Sequence, residues 1–89
     1  PLGGARVANL TPALADEMRL DFSQTGVVVI GIDGAGEARR FGFMVGDIVR
    51  DVNMVDVTSP NQLQQTLNAS TGWDITVQRG NRTSTLSIR

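Results

Sequence analysis

The chain has 89 residues, 40% of them apolar and 19% charged, with a formal net charge of −1. That is one small domain: it is too short for a second, and it lacks both the roughly 20-residue apolar run of a membrane span and the basic stripe of a nucleic-acid binder. It contains no Cys, His or Lys, which excludes disulfide frameworks and zinc-thiolate sites and removes the usual general bases.

Pro1-Leu2-Gly3 carries no signal-peptide pattern, so the start is read as a processing site or a fragment boundary. The glycine-rich Leu2-Gly3-Gly4-Ala5 leads into Arg6 to Leu10, read as a short edge strand. Thr11 then N-caps and Pro12 opens a helix, with Leu14 and Met18 as its buried stripe and its end near Leu20. Asp21 to Gly26 reads as a loop anchored by Phe22. Val27 to Ile32 is a β-branched run of strand length, expected to be central and covered on both faces.

Asp33 to Gly36 breaks that strand, and Glu37 to Phe41 forms a short helix ending at Gly42. Gly42 and Gly46 supply positions tolerant of positive φ, and Asp47 can bond backbone amides within the turn. Ile48 to Val52 is then a strand, with Ile48 and Val52 expected on one face. Asn53 to Val57 reads as a turn and a brief strand. Ser59-Pro60-Asn61-Gln62 starts the next helix, Ser59 as N-cap and Gln62 completing a capping box, with Leu63 and Leu67 as its apolar face. Asn68 to Gly72 ends it. Trp73 to Arg79 alternates apolar and polar, Gly80-Asn81 is a two-residue turn, and Thr83 to Arg89 alternates again, so the chain closes on a hairpin. The fold class is α+β: a small, partly open antiparallel β-barrel or sandwich of five or six strands, capped by two main helices.

Little of this can do chemistry. Gly31 to Gly36 lies between a strand and a helix, but its spacing is not that of a dinucleotide loop and no βαβ unit follows, so a bend is the reading. Asp47 in its turn reads as structural, Asp47 with Asp51 lacks a third metal ligand, and Arg39-Arg40 reads as a solvated helix face. Trp73 reads as core or rim packing. No nucleophile and base can be paired from this residue set, so the chain is not expected to be an enzyme and no cofactor or metal is expected.

The stretch Gly36-Glu37-Ala38-Arg39-Arg40-Phe41-Gly42-Phe43-Met44-Val45-Gly46-Asp47-Ile48-Val49, followed by Val52-Asn53 and Val57 and by the Ser-Pro helix with Leu63 and Leu67, resembles the signature of bacterial PDZ domains. The element order resembles the permuted bacterial form, most of all the second PDZ domain of HtrA or Do-type periplasmic serine proteases. The resemblance covers almost the whole chain, 1–89 as a single PDZ domain of a larger protein.

It implies β-augmentation, in which an extended or C-terminal peptide adds to an edge strand and its carboxylate is held by loop amides. The implied peptide-binding residues are Leu2, Gly3, Gly4, Ala5, Arg6 and Val7 on the loop and strand, and Pro60, Gln64 and Leu67 on the helix wall, with Leu63 turned to the core. Pro60 stands where many animal PDZ domains carry a His, which implies an apolar or undemanding preference at that ligand position. The loop's second apolar position is filled by Gly4 or Ala5, so terminal capture is expected to be weak. The implied partners are peptide segments and the protease and PDZ domains of the same protein, with no nucleic acid and no membrane insertion; the implied location is the periplasm and the implied parent a trypsin-like serine endopeptidase. The rival expectation is an assembly module that builds the protease oligomer.

Overall fold

The computed structural model describes residues 4–20, 26–34, 38–69, 71–80 and 82–88. Phe22, expected to anchor a loop, and Asn81 of the hairpin turn lie outside them. In chain order the elements are β1 (Ala5–Asn9), α1 (Pro12–Glu17), β2 (Val27–Ile32), α2 (Ala38–Phe41), β3 (Ile48–Val52), β4 (Val55–Asp56), α3 (Pro60–Asn68), β5 (Trp73–Arg79) and β6 (Arg82–Ile88). The sheet is antiparallel, ordered β1-β2-β3-β5-β6 with β4 on β3, and it stays open because β1 and β6 do not pair.

Two apolar clusters hold the sheet. The larger joins Ala5, Val27, Val29, Phe43, Val49, Val52, Val57, Leu63, Leu67, Ile75, Val77 and Ile88. The smaller joins Leu10, Ala15, Val28 and Ile48 beneath α1. Because Val28 belongs to one and Val27 and Val29 to the other, β2 is covered on both faces, as its unbroken β-branched run requires.

Two irregularities in the sheet change which side chains share a face. On β3, Val49 pairs with Val77 and Asp51 with Thr76, so Arg50 is an extra residue. That bulge reverses the alternation: Ile48 enters the small cluster and Val52 the large one, and the expectation that they share a face is corrected. On β2, Arg6 pairs with Gly31 and Val7 with Val29, leaving Ile30 as the extra residue, 42% exposed. Ile32 thereby returns to the large cluster opposite Ala5.

The helix ends follow from local chemistry. The Leu14 N–H donates to Thr11 Oγ1 at 3.2 Å, capping α1. Instead of reaching Leu20, α1 stops at Glu17, because Arg19 takes a left-handed φ of 58° and the Arg19 and Leu20 N–H groups donate back to Asp16 and Ala15. This is a Schellman closure without glycine. The fully buried residue of α1 is Ala15, while Leu14 and Met18 are half-buried against the small cluster.

In α3 the Gln62 N–H donates to Ser59 Oγ at 3.1 Å. The Gln62 side chain accepts from the Thr58 N–H at 2.8 Å, one residue before the cap, a shifted form of the expected box. No helix of the described residues is long and apolar enough to cross a membrane.

Candidate functional site

β1 pairs with β2 and with no other strand of the described residues, so its second edge carries unpaired backbone groups. α3 packs against both β1 and β3, forming a wall beside that edge. An edge strand flanked by a helix is the arrangement that accepts an extended segment as an added strand.

The residues expected at such a site fall into three groups. Leu2 and Gly3 lie outside the described residues. Gly4 has a φ of 97°, and its carbonyl accepts from the Asp33 N–H at 2.9 Å, which ties the loop to the end of β2. Along β1 the side chains alternate: Ala5 is buried in the large cluster, Arg6 is exposed, and Val7 is half-buried against the cluster. The apolar side chains nearest the edge are therefore Ala5 and Val7, and Ala5 contributes only a methyl group.

On α3, Pro60 and Gln64 are half-buried, and Gln64 Nε2 donates to Asn68 Oδ1 at 3.0 Å. Leu67 sits in the core beside Leu63 at 5% exposure. Residues four apart share a helix face, so the turn that buries Leu63 draws Leu67 in with it. Trp73 Nε1 donates to the Leu67 carbonyl at 3.0 Å and fixes the C-terminal end of the wall.

Asp47 holds the far side of the scaffold. It is buried, accepts from the Met44 N–H at 2.8 Å, and receives two bonds from Arg79, Nε to Oδ1 and Nη2 to Oδ2, each at 2.7 Å. Arg79 Nη2 also donates to the Gly42 carbonyl at 2.7 Å, so one guanidinium binds both ends of the turn. The hydrogen bond to Asp47 raises the Arg79 pKa above its ordinary value, against an opposing effect of burial. The structural reading of Asp47 fits this geometry, but its partner lies 32 residues away and no local pattern announces it.

A cavity of about 360 Å³ opens elsewhere, lined by Gly26, Arg50, Asp56, Val57 and Thr58, none of them on β1 or α3. Arg50 donates to Gln78 Oε1 from its Nε at 2.9 Å and from its Nη2, so the cation of that cavity is already engaged. No group of three or more acidic residues that could hold a metal occurs among the described residues.

No protein-family profile matches the chain. Two curated relatives, from Chlamydia trachomatis and Chlamydia muridarum, are each described as a probable periplasmic serine endoprotease DegP-like, and each is 29% identical over 72 residues. Those matches cover 81% of this chain but 14% of each relative, so the chain spans about one seventh of their length. Among solved structures, the HtrA3 PDZ domain bound to the phage-derived ligand FGRWV superposes with a TM-score of 0.78 and 29% identity, over 96% of this chain and 79% of the other. The open sheet, the unpaired edge of β1, the flanking α3 and this likeness together give the chain a PDZ fold, similar to the PDZ domain of an HtrA-type protease.

Proposed function

We propose that the chain is the non-catalytic peptide-binding module, the second PDZ domain, of an HtrA-like periplasmic serine protease. It takes an extended or C-terminal segment of a substrate or regulator as an added strand between β1 and α3, and so recruits that segment to the protease or adjusts its activity. The observation that carries this reading is the position of β1, paired on one side only with α3 packed against it. The peptide held by the similar HtrA3 domain and the periplasmic protease names of the relatives support it. Backbone pairing supplies the affinity, and the side chains over Ala5, Val7, Gln64 and Leu67 supply selectivity.

A second reading rests on Ala5. A methyl group is a shallow floor for a terminal apolar side chain, which favours an interdomain contact of the protease oligomer over capture of a free terminus. Titrating isotope-labelled protein with FGRWV and with its C-terminal amide separates the two. Peptide capture predicts shifts at Gly4 to Val7, Gln64 and Leu67 that weaken on amidation. No response to either peptide, with shifts at those residues only on adding the neighbouring domains of the parent protein, would replace it with the assembly reading.

A further inference from the structure

Arg6 projects from the open edge strand on the face opposite Ala5 and Val7. Its guanidinium lies on the neighbouring strand directly over Gly31: a Cβ built at Gly31 would stand 2.3 Å from Nη2 and 2.8 Å from both Cζ and Nε. The seat exists because the extra residue Ile30 shifts Gly31 into register with Arg6. Gly31 is buried beneath the guanidinium although it sits on the outer face. Among the described residues Arg6 is exposed and has no hydrogen-bond or ion-pair partner. A β-bulge and a side-chain-free position together hold an uncommitted cation flat on the sheet, one strand in from the edge.

From this juxtaposition of Arg6, Gly31 and the unpaired edge, we infer that the groove selects peptides with a glutamate at the position directly opposite Arg6. The inference rests on the proposal that β1 receives the peptide. In an antiparallel pair, directly opposed residues put their side chains on the same face, so that ligand residue points to the outer face while its neighbours point over Ala5 and Val7. The guanidinium lies over the second strand from the ligand, about 10 Å away at the usual strand spacing. Glutamate, one methylene longer than aspartate, closes more of that gap, and the exposed Arg6 side chain closes the rest by leaning back over its own strand, which adjoins the ligand. The ligand pattern is therefore apolar, glutamate, apolar, and lysine at the central position is disfavoured.

The test is a binding series on the neutral peptide FGQWV and variants with a single Glu, Asp, Gln or Lys stepped through each position before the last, against wild type, Arg6→Gln and Gly31→Ala. One position should emerge at which Glu binds about two- to fivefold tighter than Gln, the range of an exposed cross-strand ion pair, with Asp gaining less and Lys losing. Arg6→Gln should erase the advantage of Glu over Gln at that position, read as the ratio of the two affinities within each protein variant. Gly31→Ala, which displaces the guanidinium but keeps the charge, should reduce the advantage of Glu over Asp. Binding of FGQWV with no dependence on Glu at any position, or a Glu preference that survives Arg6→Gln, would overturn the inference and leave the groove reading intact. Failure of every peptide to bind would overturn both.

Discussion

Asp47 is the residue on which the turn before β3 depends. It is fully buried, while the Arg79 side chain keeps 38% of its surface exposed, so losing the carboxylate strands the Met44 N–H inside the protein but returns the guanidinium to water. The expected cost of Asp47→Ala, which removes both acceptor oxygens, is about 2 to 4 kcal/mol in urea unfolding, nearer the desolvation cost of a lost acceptor than the full value of a buried ion pair. A loss below about 1 kcal/mol would mean that the turn holds without it. Because the folded Arg79 pKa is raised, its contribution is complete below the ordinary arginine value and is lost only as pH climbs through the strongly alkaline range. Titration of Arg79 therefore gives no change in stability near neutral pH.

Met54 shows the opposite kind of residue. At the tip of the β3–β4 turn it is 93% exposed with a φ of 69°, next to Asn53 at 52°. Two consecutive left-handed residues form the hairpin turn that favours Asn-Gly, so Met54→Gly should raise stability by about 1 kcal/mol. Thermal unfolding reads this directly; no gain would show that the side chain has contacts that compensate for the strain.

Among the elements, those announced by local chemistry were the legible ones. Thr11-Pro12 and Ser59-Pro60 mark the two helix starts, and the alternation from Trp73 onward marks the closing hairpin, because caps and periodicity act within a few residues. The bulges at Ile30 and Arg50 were hidden, since they are set by pairing between strands distant in sequence. Hence Ile48 and Val52 separate onto different faces, and hence Gly31, read as the start of a bend, lies within β2 and becomes the seat of Arg6. Of the candidate site, the edge strand that carries Arg6 was legible in the sequence, while the depth at which Leu67 sits was not.

The α3 wall depends on its cap. Ser59→Ala should cost about 1 kcal/mol of stability and weaken peptide binding modestly by fraying the Pro60 and Gln64 end of the groove. Calorimetric unfolding together with peptide titration measures both. Weakened binding with unchanged stability would place Ser59 in direct contact with the ligand instead.

For the whole molecule the open sheet is the governing feature, because it leaves two edges of different character. The outer edge belongs to β6, whose Arg82, Thr83, Thr85 and Ser87 are exposed and polar, a composition that discourages strand addition. The other belongs to β1, whose alternation carries apolar side chains toward the core beside a nine-residue helix. The domain is thus polarised, with one edge closed to partners by its chemistry and one suited to receive them. A small antiparallel domain can hold this shape because Val27, Val28 and Val29 lock β2 between two cores, leaving β1 anchored on one side and available on the other.

The most direct test is to detect backbone contacts between bound FGRWV and the protein by intermolecular nuclear Overhauser effects, with hydrogen exchange measured on the same sample. Antiparallel contacts from the peptide to Ala5 through Asn9, with slowed exchange at those alternate β1 amides that face away from β2, are the predicted result. Contacts to β6, or binding that leaves exchange along β1 unchanged, would contradict the account.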